Sequence, residues 1–318
     1  MTGRIVWLLA GLMVIAAAAP GLAPYNPETQ HRDFMYAPPM RPRVIDAGAL
    51  RAPFVYSIEM ADRLEQSYAE NRSRPRPLPW FAPADAEPVF LLGADSFGRD
   101  LLSRLLHGAR LSLSLALVSA LGALVIGALI GGLAGYLGGW VDDIAMRTVD
   151  FVIVLPVIYA ALVLRAMLPL ALPSSTVFVM MAAIFTLVGW PFVARGVRGI
   201  VAAERERDYI VAARSLGAGT GRIVTRHLLP ACTGYLLVQS TLLLPAFILG
   251  EATLSYVGLG FPVHVATWGT MLVDASNPNA LERFPWTLTP AVAIFAVVLV
   301  TNAVLQSDKI GSSMVRRI

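Results

Sequence analysis

The sequence predicts an all-α membrane protein of about six transmembrane helices with an extended external loop, on three observations. Of its 318 residues 56% are hydrophobic and only 14% are charged, against about 25% charged in soluble domains. Its apolar residues are gathered into blocks, several reaching the ~20 residues that a helix needs to cross the hydrocarbon core. Basic residues fall mostly between those blocks, where the positive-inside bias puts them. The net charge of +4 therefore reads as an orientation signal and does not point to a nucleic-acid partner.

Residues 1–23 hold the first block, Ile5 to Ala23 behind Arg4. A short basic start, an apolar middle and the small residues Ala16 to Ala19 also fit a cleavable signal peptide. A retained first transmembrane helix is the favoured reading, and either way residue 24 lies outside the cytoplasm. Residues 24–92 hold half of the 22 prolines and read as an external Pro-rich loop or lobe. Little regular structure is expected there beyond a helix around Ser57 to Glu70. Its eight arginines are tolerable outside, because loops longer than about 60 residues cross largely regardless of charge.

Residues 93–307 read as a core of five further spans. Gly93 and Asp95-Ser96 supply turn and capping chemistry. Arg99 to Arg110 then puts Leu101, Leu102, Leu105 and Leu106 on one helical face, with Asp100 and Arg104 paired at i,i+4. That helix lies at the membrane surface or runs into the next span. Leu111 to Leu137 repeats glycine at 122, 127, 131 and 135, a pattern for close helix packing. Phe151 to Leu168 contains Pro156 and a single charge, Arg165, near enough to its end to snorkel. Val177 to Ala194 carries Trp190-Pro191 as a kink and interfacial anchor. Ala231 to Tyr256 is interrupted by Pro245 and Glu251, and Leu288 to Leu305 is the last span. Residues 308–318, with Lys309, Arg316 and Arg317, form a cytoplasmic tail. Six spans with both termini inside also put Arg195 to Pro230, with its seven arginines, in the cytoplasm.

Several chemistries are excluded. The single Cys232 forms no intramolecular disulfide, and His31, His107, His227 and His264 lack ligand spacing, so no metal site is expected. No phosphate-binding Gly-x-x-x-x-Gly-Lys-Ser/Thr loop is present, so ATP has no site in this chain. A secondary transporter needs ionisable groups in mid-membrane, whereas here only Arg165 and Glu251 occur, near span ends. Glu251, with Pro245, is the candidate for the pathway or its gate; a hydrogen-bonded residue near the outer interface is the plainer reading.

The informative stretch is Arg205 to Pro230. Tyr209, Ala212, Ala213 and Leu216 fall at i, i+3, i+4 and i+7, an apolar stripe on a helix with charged flanks. Gly217 follows where a helix terminus wants positive φ. A second short helix from Arg222 to Leu229 leads into Pro230, suited to the first turn of the next span. On pattern alone this is a docking surface or a solvated interfacial helix.

The run "VAARSLGAGTGRIVTRHLLP" resembles the EAA loop of ABC importer permeases: Glu-Ala-Ala, three residues, Gly, nine residues, Ile-x-Leu-Pro. Ala212, Ala213, Gly217, Leu229 and Pro230 match, while Val211 replaces the Glu and His227 the Ile. "LGADSFGRDLLSRLLHGARLSL", "GYLGGWVDDIAMRTVD", "EATLSYVGLGFP" and "TWGTML" resemble the dipeptide/oligopeptide/nickel branch, over about Leu92 to Leu305. Two features depart from it: the long 24–92 segment, and a tail without the Gly-Asp-Gly-Leu-Arg-Asp ending.

The resemblance implies a type I importer permease fold in a bacterial inner membrane, with no cofactor of its own. It implies a homologous permease subunit, two cytoplasmic ATPases that bind the ATP, and an external solute-binding protein. The EAA loop, residues 203–230, would couple to an ATPase through Tyr209, Ala212, Ala213, Arg214, Leu216, Gly217, Leu229 and Pro230. The solute implied is a peptide, with nickel complexes and antimicrobial peptides as alternatives. An ATP-independent channel or carrier is the more distant reading.

Overall fold

A computed structural model describes residues 2–46, 49–63, 65–81, 87–169 and 172–315. Twelve helices appear among them: α1 (Thr2–Leu22), α2 (Leu101–Leu137), α3 (Gly139–Val154), α4 (Val157–Ala166), α5 (Ser174–Glu204), α6 (Asp208–Ser215), α7 (Thr220–Ile223), α8 (Leu229–Ala231), α9 (Thr233–Tyr256), α10 (Trp268–Ala275), α11 (Pro278–Arg283) and α12 (Thr289–Val315). Three strands, β1 (Arg43–Asp46), β2 (Ala49–Asp62) and β3 (Ser67–Pro77), lie between α1 and α2. Among the described residues four helical segments are long and apolar enough to cross a membrane, and the bent pair α3–α4 makes a fifth if it is one span.

The chain divides into two compact units, one of Met1–Met13, Leu113–Leu254 and Ala296–Ile318, the other of Val14–Ser112 and Ser255–Phe295.

Glycine organises the first, helical unit. A Cβ built at Gly122, Gly127 or Gly135 would stand 2.5 Å from Thr186 Oγ1, 2.7 Å from Trp190 O and 2.7 Å from Arg198 O respectively, and one at Gly131 would overlap Ala194 O. Positions 186, 190, 194 and 198 advance four at a time, so a backbone ridge of α5 lies in the glycine groove of α2. The opposite side of α5 meets α9. Phe185 and Phe247 stack with centroids 5.3 Å apart, and the Tyr235 hydroxyl lies over Gly196 and donates to Phe192 O at 3.0 Å.

Several expectations for this unit are corrected. Trp190 is buried between neighbours, so it does not anchor at an interface. Phe151 to Leu168 is not one straight span, because α3 and α4 meet at 89°. Pro156 cannot donate to the ladder and drives Leu155 to an extended conformation, which ends α3. The stretch left between the predicted spans Leu111–Leu137 and Phe151–Leu168 is itself helical, as α3 starts at Gly139. Arg165 is 1% exposed and donates to the carbonyls of Leu168 and Pro169 instead of snorkelling. Helix α9 continues unbroken through Pro245 and Glu251, and α12 continues from the last apolar stretch to Val315. Arg316 and Arg317 of the predicted tail lie outside the described residues.

The second unit carries a three-stranded antiparallel sheet in the order β1-β2-β3, where a helix around Ser57 to Glu70 was expected. Val55 and Ile58 of β2 enter a core with Ala37, Met40, Val89 and Phe90. Two of the prolines that suggested a loop sit on an edge: Pro75 and Pro77 belong to β3, which among the described residues pairs with β2 alone, and proline suits an edge strand because it has no N–H to pair. The register steps from Tyr56 opposite Pro75 to Ser57 opposite Asn71, which loops Arg72, Ser73 and Arg74 out of the ladder.

Sequence spacing also misassigned an ion pair here. Asp100 caps α2 by accepting from the backbone N–H of Ser103 at 2.8 Å and its hydroxyl at 2.6 Å. Arg104 faces Asp95 instead, at 3.5 Å, in a buried cluster where Arg99 reaches both Asp95 (2.6 Å) and Asp274 (3.4 Å). Leu101 to Arg110 is the first part of the long helix α2, with Leu101, Ser103 and Arg104 buried.

Candidate functional site

The EAA-like segment lies wholly in the helical unit and is built as a two-faced elbow. α5 ends at Glu204, a short turn follows, and α6 begins at Asp208, whose carboxylate favours a helix N-terminus. One face of α6 turns inward through Ile210, which is fully buried. The other face is open: Tyr209 is 46% exposed, Leu216 is 88% exposed, and Ala212 is also exposed. Of the expected stripe, Tyr209, Ala212 and Leu216 are left uncovered, while Ala213 is half-buried. A leucine at such exposure withholds roughly 1.5–3 kcal/mol of burial from the isolated chain.

Gly217 ends α6 with φ +82°. Its N–H donates to Arg214 O at 3.0 Å, and the next N–H, of Ala218, reaches back to Ala213 O at 3.1 Å. That bond pair needs a left-handed residue between them, which is why glycine stands there. Nothing lies within 4 Å of a Cβ built at Gly217, so conformation and not space selects it.

The elbow is also fastened to the bundle. Tyr209 donates to Glu204 at 2.9 Å and leans toward His227, with ring centroids 6.5 Å apart. The Arg214 guanidinium lies 5.4 Å from the Tyr136 ring, a cation–π contact at the C-terminal end of α2. Arg205 donates to Gly135 O at 3.2 Å. The second predicted helix is in fact α7 followed by a wide turn of π-helix over Val224–Leu228, which buries Ile223, Val224 and Leu228. A Cβ at Gly132 would stand 3.2 Å from Leu229 and 3.4 Å from Val224, so this limb also rests on α2. Pro230 opens α8 at its first turn, where its missing N–H is not needed.

Ile210, Glu204, Gly132 and Tyr136 escaped the sequence reading. Gly132 and Tyr136 sit beside the glycine series, and only the fold reveals that they face the elbow. Pro245 and Glu251 lie apart from it: Glu251 is fully buried within α9, and Pro245 is half-buried. Near them, a cleft of about 450 Å³ opens between α4, α5 and α9, lined by Phe185, Phe192 and Phe247 with Gln239 and Thr253 as polar members. Neither Pro245 nor Glu251 lines that cleft. Among the described residues no group of His, Cys, Asp and Glu could hold a metal ion. The elbow presents a surface, without a nucleophile or base arrangement.

Residues 110–307 match the family described as binding-protein-dependent transport system inner membrane component. The chain is similar to a di/tripeptide transport system permease protein of Pseudomonas aeruginosa, 34% identical over 303 residues, covering 94% of this chain and 84% of the relative. A peptide permease protein of Brucella ovis is 39% identical over 211 residues, 66% of this chain and 68% of the relative. Among solved structures, an inward-facing MetNI methionine ABC transporter is similar with a TM-score of 0.46 and 18% identity, over 64% of this chain and 95% of that one.

Proposed function

The chain belongs to the family of binding-protein-dependent transport system inner membrane components, and from that membership we propose that it forms half of a peptide pathway driven through its α6 elbow. It is a permease component of an ATP-binding cassette importer. Its name-bearing relatives are permeases for di/tripeptides and peptides, which favours short peptides as the solute. The partners in this reading are a homologous permease, two cytoplasmic ATPases and an external solute-binding protein. The fold is then a type I importer permease with six spans: α1, α2, the bent α3–α4 pair, α5, α9 and α12. Residues 24–92 are external, the elbow is cytoplasmic, and so are both termini.

One observation carries the coupling proposal: α6 leaves Tyr209, Ala212 and Leu216 open while the elbow is tied to α2 through Arg205 and Arg214 and to α5 through the Tyr209–Glu204 bond. A surface knob attached to two spans transmits force; one attached to a flexible loop does not. Ala212 and Ala213 let an ATPase approach the helix backbone, Gly217 shapes the turn beside them, and Leu216 fills a groove on it. Closure of the ATPase pair then moves α6 as a body, and Arg214 on Tyr136, Arg205 on Gly135 and Leu229 on Gly132 pass the displacement to α2. Since α2 and α5 interlock by backbone ridge and glycine groove, they move together. The α4–α5–α9 cleft faces the pathway or the second permease, and Glu251 and Pro245 set the shape of α9 behind it.

The test is a double Ala212→Glu, Ala213→Glu variant in the assembled importer. Loss of solute-stimulated ATP hydrolysis at unchanged expression is expected, together with loss of ATPase copurification. Unchanged coupling overturns the elbow's role.

A further inference from the structure

The second unit contains a pocket of about 440 Å³ that the permease reading leaves unused. Its walls come from the β2–β3 hairpin (Glu65, Gln66, Tyr68), from Pro38, and from the end of α11 and the turn after it (Arg283, Phe284, Trp286). That size falls within the ~300–1,000 Å³ of small-ligand sites.

Three features mark it as built. The only two non-glycine residues with positive φ among the described residues are Gln66 (φ 50°) and Tyr36 (φ 53°), and both belong to this place. Gln66 lines the pocket, and Tyr36 stacks on Phe284 in its wall with centroids 4.3 Å apart and planes at 12°. Left-handed backbone at a bulky residue costs about 1–2 kcal/mol and persists where the surroundings hold it. Here Tyr36 N–H is held by Asp95 O at 3.0 Å. Second, the aromatic wall is fixed: Tyr68 donates to Met35 O at 2.7 Å, and the Trp286 ring packs over Gly93, where a Cβ would stand 2.6 Å from Trp286 Cδ1. Third, the rim carries one exposed cation, Arg283, and one exposed carboxylate, Glu65.

We propose that this pocket binds a short peptide with free termini, its apolar side chain against Tyr68, Phe284 and Trp286, its carboxylate at Arg283 and its ammonium at Glu65. Aromatic rings supply the area for one side chain. A single guanidinium and a single carboxylate on one rim match the two ends of a zwitterion better than they match a uniformly charged ligand. The inference rests on the peptide-import reading and adds a solute-contacting site outside the membrane helices.

The test uses the assembled importer in lipid nanodiscs without binding protein, and a tripeptide of alanine, p-benzoylphenylalanine and alanine as the photoprobe. Cross-links at Tyr68, Phe284 or Trp286 that Ala-Phe-Ala competes away are expected. Amidating the probe's carboxyl should weaken labelling about tenfold, the range of a lost charge-assisted hydrogen bond. Arg283→Glu should erase that difference, and Glu65→Lys should erase the corresponding effect of N-acetylation. Both residues are exposed, so the variants keep the fold. Absent labelling, or labelling that appears only when binding protein is added, overturns the proposal. Peptide-stimulated ATP hydrolysis is measured on the same preparation with binding protein present. Stimulation without pocket labelling removes this site and leaves the importer reading standing; failure of every tested peptide to stimulate removes both.

Discussion

Gly131 of α2 lies against the backbone of Ala194 of α5, so close that a Cβ on it would overlap the alanine's carbonyl oxygen and stand 2.9 Å from its Cα. Backbone cannot step aside as a flexible side chain can. Gly131→Val should therefore force the two helices apart, at about 1–3 kcal/mol or more. Gly199, on the same α5, has nothing within 4 Å of its Cβ position, and Gly199→Ala should be neutral or stabilising by up to about 1 kcal/mol. Thermal unfolding of the purified complex compares them; equal melting temperatures would show that the glycine groove is not a packing device.

Gly217 separates conformation from contact. Its φ of +82° is tolerated by asparagine and aspartate better than by other side chains, and space around it is open in the isolated chain. Gly217→Asn should therefore keep the turn and retain coupling. Gly217→Asp keeps the turn as well, yet buries a charge wherever an ATPase covers the elbow, which costs about 2–5 kcal/mol if unpaired. The expected result is near-normal solute-stimulated ATP hydrolysis for the asparagine variant and loss for the aspartate variant, at equal expression. Equal activities would mean that nothing covers this turn.

The contrast between what was and was not legible follows the range of each interaction. Hydrophobic length marked α2, α5, α9 and α12, and a glycine repeat marked the packing face of α2, because both are properties of one segment. Gly217 was readable as a terminus for the same reason. By contrast, Arg104 chose Asp95 over the Asp100 at i,i+4, because Asp100 was already committed to capping Ser103. Prolines in β3 read as loop because nothing in a single strand tells that it lies on an edge. The elbow's fastenings to Tyr136 and Gly132 were invisible, since residues about 80–100 positions apart meet only through the fold.

Topology can be read from one introduced thiol. Cys232 is the sole cysteine and is buried, so background labelling is low. Ser73 sits in the bulge looped out between Arg72 and Arg74 and is exposed. Ser73→Cys should react with a membrane-impermeant maleimide in cells whose outer membrane, where present, has been made leaky. Leu216→Cys, 88% exposed on the elbow, should react only after lysis. The reverse pattern would invert the orientation and put the elbow on the wrong side for an ATPase.

A pH dependence should arise at Asp100. Its Oδ2 is occupied by Ser103, its Oδ1 has no hydrogen-bond partner among the described residues, and burial first, with nearby Asp95 adding to it, raises the carboxyl from 3.8 to about 6. The folded chain therefore holds a proton that the unfolded chain has already released over that interval. The contribution of Asp100 to stability is greatest below the unfolded value, declines as pH rises from 3.8 through about 6, and levels off above. Two units correspond to about 3 kcal/mol. Asp274 is shifted the same way, mainly by burial and then by Asp95, and steepens the decline. Asp100→Asn keeps an acceptor for the Ser103 N–H, so the cap survives, while the titrating proton is gone. Melting temperature against pH should fall for the parent from about pH 4.5 to 7 and fall less for the variant, which should also melt higher at neutral pH. Parallel curves for the two proteins would mean that Asp100 is hydrated and ionises at its ordinary value, and that the buried charge cluster beside it does not sense protons.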